Sequence, residues 1–501
     1  MTVDATSADS SLSQFFHLPS EETSVRLKTI CLSVAAVFAA AGMPAHASTA
    51  EELLKVLRAK GVLTQEEYDV LTQEVEIEDK QRRGARKRAA IEQADREKAA
   101  EKELKASYKD GVTFESGDKE TSISVNGRIQ LDYRAFSDGN DDAFADTFDV
   151  RRARLGAKGK FLKYYSFVVE GDFGASTILT DAYFDIAWWK PAVIRLGQFK
   201  TPTSLEELTS SRFIDFQERS FVNNQNLTPG RERGAMVFGE PLKGLNYGIA
   251  VTTGEGQNNN DVDGDADGVD VIGRLTANIA EFIGQKNAVY HVGGSFSNGD
   301  VSGTLDPASQ RTEGRGLTFF NPNAFNTTTG EIERTRGAFE TALALGPVKL
   351  QGEYARANLE GASLAGTGFD SEIDAYYASV LWLITGENYA DSYRGGRFDR
   401  IKPKATFALG SPGWGAWEIG LRYSEFDASD FRATRAVGTG VLPAGFSSEA
   451  EAFTLGLKWI VNPNTRFLLN YVKTDFEQNV TSNGVSVQDE EAITLRSQFD
   501  F

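Results

Sequence analysis

Short segments in which apolar and polar residues alternate make up most of the chain from Ser122 to its end. In the last ten residues, AITLRSQFDF, the apolar residues Ile493, Leu495 and Phe499 share one parity and polar residues take the other. Successive side chains of a strand point to opposite faces, so each segment predicts a strand with one apolar and one polar face. Roughly ten residues also suffice for a tilted strand to cross a bilayer core. The repeated alternation therefore favours a transmembrane β-barrel.

The number of strands follows from these segments and the connections between them. A liberal count gives seventeen, including 401–410, whereas single-chain bacterial barrels have an even number, with short turns in the periplasm and long loops outside. Short connections occur at 190–191, 346–347 and 462–464, and long ones at 200–233, 298–334 and 428–450. The two kinds alternate only if 401–410 belongs to a periplasmic connection. We therefore predict an all-β fold, a sixteen-stranded antiparallel transmembrane β-barrel over 108–501, with a short N-terminal helical periplasmic segment.

The first 47 residues predict a leader and signal peptide that is removed. Arg26 and Lys28 precede the apolar run 30–41, and Ala45-His46-Ala47 is a small-x-small cleavage pattern. The only cysteine, Cys31, lies in this leader, so the mature chain would contain no disulfide, zinc–thiolate site or cysteine nucleophile. No later segment has eighteen uninterrupted apolar residues, so strands are the expected means of crossing a membrane.

Residues 48–107 predict a periplasmic segment that is helical or a coiled coil. Leu53, Leu54 and Leu57 have helical spacing, and Thr64 with Glu67 forms a capping box for a second helix. Beyond these, 80–105 is rich in alanine and in charges of both signs, which is typical of an exposed helix. The segment has two interpretations, a contact with the anionic cell wall and a solvated linker.

The parity of the strands also predicts which charges face the lumen. If the large apolar residues face lipid, a modest excess of basic residues lines a water-filled pore, and Arg and Lys favour anions there. The basic residues assigned to the pore are Arg128, Arg134, Arg151, Arg152, Arg195, Arg274, Arg422, Lys458 and Arg496. Inward acidic residues such as Asp132, Glu170 and Asp185 leave open the alternative that paired charges stiffen the wall.

Arg151 and Arg152 form the densest basic point of the predicted wall. The apolar parity changes here, from Phe148 and Val150 to Ala153, which predicts a β-bulge that turns both arginines inward. The alternative is a strand end with both arginines at the rim.

The connection 200–233 is the candidate constriction loop. It is long and carries apolar residues, such as Leu205 and Phe216, that need a buried environment, and the barrel interior is the available one. Its basic residues Lys200, Arg212 and Arg219 are assigned to the constriction.

Other kinds of site have little support in the sequence. His291 is the only histidine beyond the leader, which argues against a histidine-dependent hydrolase, so we expect no enzyme and no cofactor. The acidic loop 261–270 begins like an EF-hand but has Arg274 at the twelfth position, so no metal site is assigned and calcium binding stays an open alternative. A general low-selectivity porin and an envelope-tethering barrel are the remaining alternatives. No nucleic-acid partner is predicted.

Several stretches resemble the phosphate-selective porin O and P family, in order from about Asn126 to Phe501. They include RRARLGAKG, RLGQFKTPTSLEELTSSRFIDFQERS, DVIGRLTANI, GAWEIGLRY and LGLKWIVNP. The resemblance implies a homotrimeric porin in the outer membrane of a Gram-negative-type bacterium. Its permeants would be small anions of the phosphate, pyrophosphate or polyphosphate class, diffusing passively. It also implies a basic pore role for Arg151 and Arg152, a constriction role for the loop around Arg212, and recognition of Phe501 by the barrel-assembly machinery.

Overall fold

The computed structural model describes residues 47–108, 111–137, 145–174, 177–258, 268–362, 368–433 and 442–501. The expected leader and its cleavage site, up to residue 46, lie outside the described residues. So does most of the acidic loop 261–270.

Two helices form the first unit of the chain, which separates from the rest near Ala100. Helix α1 spans Ala47–Ala59 and helix α2 spans Gln65–Lys102. The predicted capping box is confirmed, because the Thr64 amide donates to Glu67 Oε2 (3.0 Å) and the Glu67 amide donates to Thr64 Oγ1 (3.3 Å). Neither helix is long and apolar enough to cross a membrane, among the residues described.

The helical segment ends earlier than predicted. Residues Leu104–Tyr108 form a strand, β1, instead of the expected end of the helix at 107, and β1 pairs with β2 (Val112–Ser116) as a hairpin. Strand β2 then pairs with the first four residues of the next strand, through Val112 to Val125 and Glu115 to Ser122. The edge of β3 thus offers backbone hydrogen bonds that compete with helix formation in the preceding segment. Local sequence patterns do not show this competition.

Sixteen antiparallel strands close into a barrel within the described residues, as predicted. Each wall strand pairs with the next, and the last pairs with the first through Asp500 to Arg128 and Ala492 to Phe136. The wall strands are β3 (Ser122–Phe136), β4 (Thr147–Phe161), β5 (Tyr165–Asp172), β6 (Ile178–Trp189), β7 (Ala192–Lys200), β8 (Arg231–Leu242), β9 (Leu245–Thr252), β10 (Asp270–Asn278), β11 (Ala288–Leu305), β12 (Phe325–Leu345), β13 (Val348–Ala362), β14 (Gly368–Leu383), β15 (Ala416–Asp427), β16 (Glu449–Asn462), β17 (Thr465–Ser482) and β18 (Val485–Asp500).

The segment 401–410 is not a wall strand, which confirms its assignment to a connection. It belongs to the connection 384–415, at the end of the barrel that has the short turns 190–191, 346–347 and 463–464. This connection contains a 3-10 turn at Tyr389–Ser392 and a hairpin of two short strands, Tyr393–Arg394 and Arg397–Phe398. Tyr389 and Phe398 are buried in a cluster with Leu205, so part of the connection lies inside the barrel.

The two faces of the wall differ as the parity predicts. Large apolar side chains such as Leu343, Leu455 and Leu495 are exposed on the outer face, whereas polar residues of the opposite parity are buried. On the outer face near the short turns, the rings of Trp417 and Trp459 stack with their centroids 5.3 Å apart. Such an aromatic group is typical of the boundary between bilayer and water.

Candidate functional site

The loop 201–230, between β7 and β8, lies within the barrel. A short helix, α3 (Leu205–Leu208), begins after Ser204, whose Oγ accepts a hydrogen bond from the Glu207 amide. The amides of Leu205 and Glu206 at the start of this helix, which have no partner within the helix, donate to the Glu353 carboxyl group at 3.0 and 2.7 Å. These two hydrogen bonds satisfy the amides, so Glu353 on β13 attaches the loop to the wall.

Other contacts show that the loop crosses the lumen. On one side, Gln130 of β3 donates to the carbonyl of Ser211 (3.0 Å) and Gln498 of β18 donates to that of Arg212 (3.1 Å). On the other side, Lys349 of β13 donates to the Asp215 carboxylate at 2.8 Å. The loop therefore narrows the barrel from several strands at once.

Glycines of the wall make room for the loop. The ring of Phe216 lies against Gly420 of β15 and Gly456 of β16, where an added Cβ would lie 3.2 and 2.9 Å from ring atoms. Pro202 lies against Gly248 of β9 in the same way, at 2.9 Å. These glycines provide space for the loop.

Arg151 and Arg152 lie at a β-bulge, as predicted. Gln130 pairs with Arg152 and Leu131 with Val150, so Arg151 is the extra residue of β4. Arg151 donates to both carboxylate oxygens of Glu218, at 2.9 and 3.2 Å. Arg152 donates to Gln130 and lies 3.9 Å from Glu218. Both side chains therefore face the loop inside the barrel.

The neighbouring arginines determine the charge state of Glu218. Its burial alone would raise the pKa of the carboxyl group, but Arg151, Arg496 and Arg152 attract the ionised form and hold that pKa well below its usual range. Glu218 is therefore ionised at neutral pH.

A cavity of about 700 Å³ lies between the loop and the wall of strands β3 to β10. Twelve of its lining residues are Arg or Lys and three are Asp or Glu. The basic residues are Arg128, Arg152, Arg154, Lys158, Lys190, Arg195, Lys200, Arg212, Arg219, Arg231, Arg274 and Arg397. Carboxylates behind this surface, such as Asp172, Asp185 and Glu207, pair with some of these groups and neutralise part of the charge.

Some of the predicted site residues border this cavity and others do not. Those that border it are the wall residues Arg128, Arg152, Arg195 and Arg274 and the loop residues Lys200, Arg212 and Arg219. The other five are held in ion pairs elsewhere in the lumen: Arg134 with Asp132, Arg151 with Glu218, Arg422 with Glu313, Lys458 with Glu418, and Arg496 with Asp132 and Glu218.

Sequence reasoning did not assign Arg154, Arg231, Lys158, Lys190 or Arg397 to the pore. Arg154 has the same parity as Arg152 along β4, and Arg231 lies within the predicted loop 200–233, so the sequence contained a usable signal for both. No sequence pattern predicted a pore role for Arg397. It reaches the cavity from the connection 384–415, at the end of the barrel opposite to the loop 201–230.

Apolar side chains fill another part of the lumen. Phe221 of the loop packs edge-on against Phe319 of the connection 306–324, with centroids 5.4 Å apart, and both contact Phe426 of β15. Phe320 and Phe431 join the same buried cluster. Small inward residues such as Ala355 border it. This part of the interior is thus filled by apolar side chains, whereas the basic cavity has a polar lining.

The single histidine beyond the leader does not form a second site among the described residues. His291 contacts Tyr393 Oη through Nδ1 (2.7 Å) and Glu340 through Nε2 (2.9 Å), so both ring nitrogens have partners within the barrel. The part of the chain that the structure describes contains no group of three or more His, Cys, Asp or Glu able to hold a metal ion.

Comparisons with known proteins agree with this architecture. Residues 123–501 match the family model for phosphate-selective porin O and P. Porin O of Pseudomonas aeruginosa is 27% identical over 432 residues, which cover 78% of this chain and 91% of that protein. Among solved structures, OmpT of Vibrio cholerae in its trimer form has a TM-score of 0.47 at 10% identity, covering 76% and 99% of the two chains. An anion-selective porin from Comamonas acidovorans has a TM-score of 0.46 at 14% identity, covering 76% and 100%.

Proposed function

The chain belongs to the phosphate-selective porin O and P family, and on that premise we propose that its basic cavity conducts small phosphate-like anions. As a porin it is a passive outer-membrane channel for anions and not an enzyme. The finer proposal concerns which anions pass and which residues select them.

The observation that carries this proposal is the composition of the cavity beneath the loop. Its lining contains twelve Arg or Lys residues and only three Asp or Glu, although the whole chain has a net charge of -18. Guanidinium groups donate hydrogen bonds in a planar fork that fits two oxygens of a phosphate group. A wall with many such groups offers a permeating phosphate successive partners, each weak enough to release it.

The test measures block of the chloride current by inorganic phosphate and by pyrophosphate in planar bilayers. We expect both anions to reduce the current, pyrophosphate at lower concentration because it has more charge. Replacing Arg397 with Gln should raise the half-blocking concentration about threefold, because a charge exposed to the cavity is removed. Arg394→Gln is the matched control, since Arg394 lies in the same hairpin, is exposed and does not border the cavity.

A chloride current that neither anion reduces would contradict the phosphate proposal and favour a general porin of low selectivity. The pairing of many lumen arginines with carboxylates is the observation that favours this alternative. Equal effects of Arg397→Gln and Arg394→Gln would show that the cavity does not select the anion.

We also propose that the protein is a homotrimer with a periplasmic segment formed by 48–107. Val70, Ile77 and Ile91 of helix α2 are exposed and follow a seven-residue period, which supports a contact between helices of different copies. Contact of this segment with the cell wall is the further possibility that its exposed charges support. Crosslinking of the intact protein, followed by sizing, should give three copies; a single copy would contradict the trimer.

A further inference from the structure

The carboxylate of Glu218 lies among four arginines. Arg151 holds both of its oxygens, at 2.9 and 3.2 Å, and Arg496 Nη2 lies 2.7 Å from Oε1. Arg152 and Arg315 complete the group, with nitrogens 3.9 and 4.0 Å from Oε2. These arginines come from β4, β18 and the connection 306–324, so distant parts of the chain converge on one carboxylate.

The backbone beside Glu218 is held independently of the carboxylate. Arg422 Nη1 donates to the carbonyl of Glu218 at 3.1 Å, and Arg496 Nη1 donates to the carbonyl of Gln217. The main chain at Gln217 and Glu218 is therefore attached to the wall by hydrogen bonds that do not involve the carboxylate oxygens. The side chain is 11% exposed, so it is not sealed from the lumen.

The group contains more positive than negative charge. Asp132 shares Arg496 with Glu218, through contacts of 2.7 Å to Nε and Nη2, and also pairs with Arg134. Arg152 and Arg315 have no bidentate carboxylate partner in the described part of the chain. Both guanidinium groups lie within 4.0 Å of the same oxygen, Glu218 Oε2, and a phosphate oxygen is the kind of acceptor that guanidinium groups bind.

We propose that Glu218 is an internal counter-anion, which occupies an anion position on the permeation path and competes there with permeant phosphate. Arg152 borders the basic cavity and also lies 3.9 Å from Glu218, so this group is adjacent to the cavity. The inference deepens the proposed function and rests on it. A permanent competitor weakens the binding of each passing anion and speeds its release, so the arginines attract phosphate without retaining it.

The experiment compares the parent protein with Glu218→Gln in planar bilayers, measuring the phosphate concentration that halves the chloride current. Glutamine keeps the size of the side chain and an oxygen acceptor for Arg151 but removes the competing charge. The half-blocking concentration should fall about tenfold, as about 1.4 kcal/mol of added affinity would produce. Glu331→Gln is the control, because it removes the same charge from an exposed position on β12 and should leave the block unchanged.

The outcomes separate this inference from the proposed function. The response of the parent to phosphate tests the function, whereas the difference between parent and Glu218→Gln tests the counter-anion. Equal block in the two proteins, including no block in either, would overturn the inference. If Glu218→Gln does not assemble, Glu218→Asp replaces it, because the shorter side chain withdraws the charge from the forks. That variant should give a smaller fall in the half-blocking concentration, and an unchanged or higher value would overturn the inference.

Discussion

At the scale of single residues, the wall glycines beneath Phe216 are as important to the interior as the arginines. An added methyl at Gly456 would lie 2.9 Å from the ring, so Gly456→Ala must displace Phe216 or the strand. We expect a loss of about 1 to 3 kcal/mol in stability, the usual effect of overpacking, and an altered conductance. Gly337→Ala is the control, since its methyl would meet nothing within 4 Å. Equal thermal denaturation and conductance of the two variants would contradict the contact.

The depressed pKa of Glu218 gives a second prediction at this scale. Burial opposes its ionisation, but Arg151, Arg496, Arg152 and Arg315 outweigh that effect. A carboxyl group whose pKa is lowered by folding stabilises the protein above its unfolded value, near 4.3, and loses that contribution only as pH falls through the lower folded value. The permeability ratio of anions to cations should therefore show no Glu218-dependent step between pH 7 and 5. A step in this range that Glu218→Gln abolishes would contradict the assignment.

Parity predicts which way a strand residue faces, but it does not identify a partner across the lumen. It predicts that Arg422 and Arg496 point inward, and both side chains are buried in the lumen. Their partners Glu313 and Glu218 lie in connections far away in the sequence, whose paths depend on packing against the finished wall. An inward arginine was thus predictable, whereas its neutralisation by a loop carboxylate was not.

At the scale of elements, the seam between β3 and β18 depends on the last residue. Phe501 exchanges two backbone hydrogen bonds with Gly127, of 3.0 and 2.9 Å. A Cβ added at Gly127 would lie 2.7 Å from the Phe501 ring. We propose that the assembly machinery recognises this end, so Phe501→Ala should lower the yield of assembled barrel more than the conductance of the barrels that form. Phe499→Ala, at an exposed outer position, is the control. A normal yield of Phe501→Ala barrels would count against this role.

Some features of the connections between strands could be predicted from the sequence and others could not. Loop-length parity correctly removed 401–410 from the wall. The apolar residues of the predicted loop 200–233 correctly placed it in the interior, but those bounds were too wide, because Lys200 ends β7 and Arg231 begins β8. Two features had no local signal, the entry of Tyr389 and Phe398 into the lumen and the hairpin β1–β2 at the edge of β3. Both are contacts between distant segments, which depend on a barrel that has already closed.

The helical segment leads to a prediction about conductance and about the association of copies. Helices α1 and α2 belong to a separate unit from the barrel, so we propose that removing 48–102 leaves the single-channel conductance of each barrel unchanged. The same truncation should weaken the association between copies if α2 contributes to a trimer. A conductance that changes while the copies stay together would contradict this division of roles.

At the scale of the whole molecule, the distribution of charge is the feature that joins fold to function. The chain is strongly acidic overall, yet basic residues outnumber acidic ones by twelve to three in the lining of the cavity along strands β3 to β10. A packed aromatic cluster fills another part of the lumen. Electrostatic selectivity in a pore depends on the charges that the ion passes and not on the net charge of the protein. We therefore expect an anion-selective channel in an acidic protein.

The reversal potential in planar bilayers under a potassium chloride gradient tests this central claim most directly. The basic lining predicts a potential whose sign corresponds to a chloride permeability above that of potassium, and a preference that weakens as salt concentration rises and screens the charges. A reversal potential of the opposite sign, corresponding to a preference for potassium, would contradict the account.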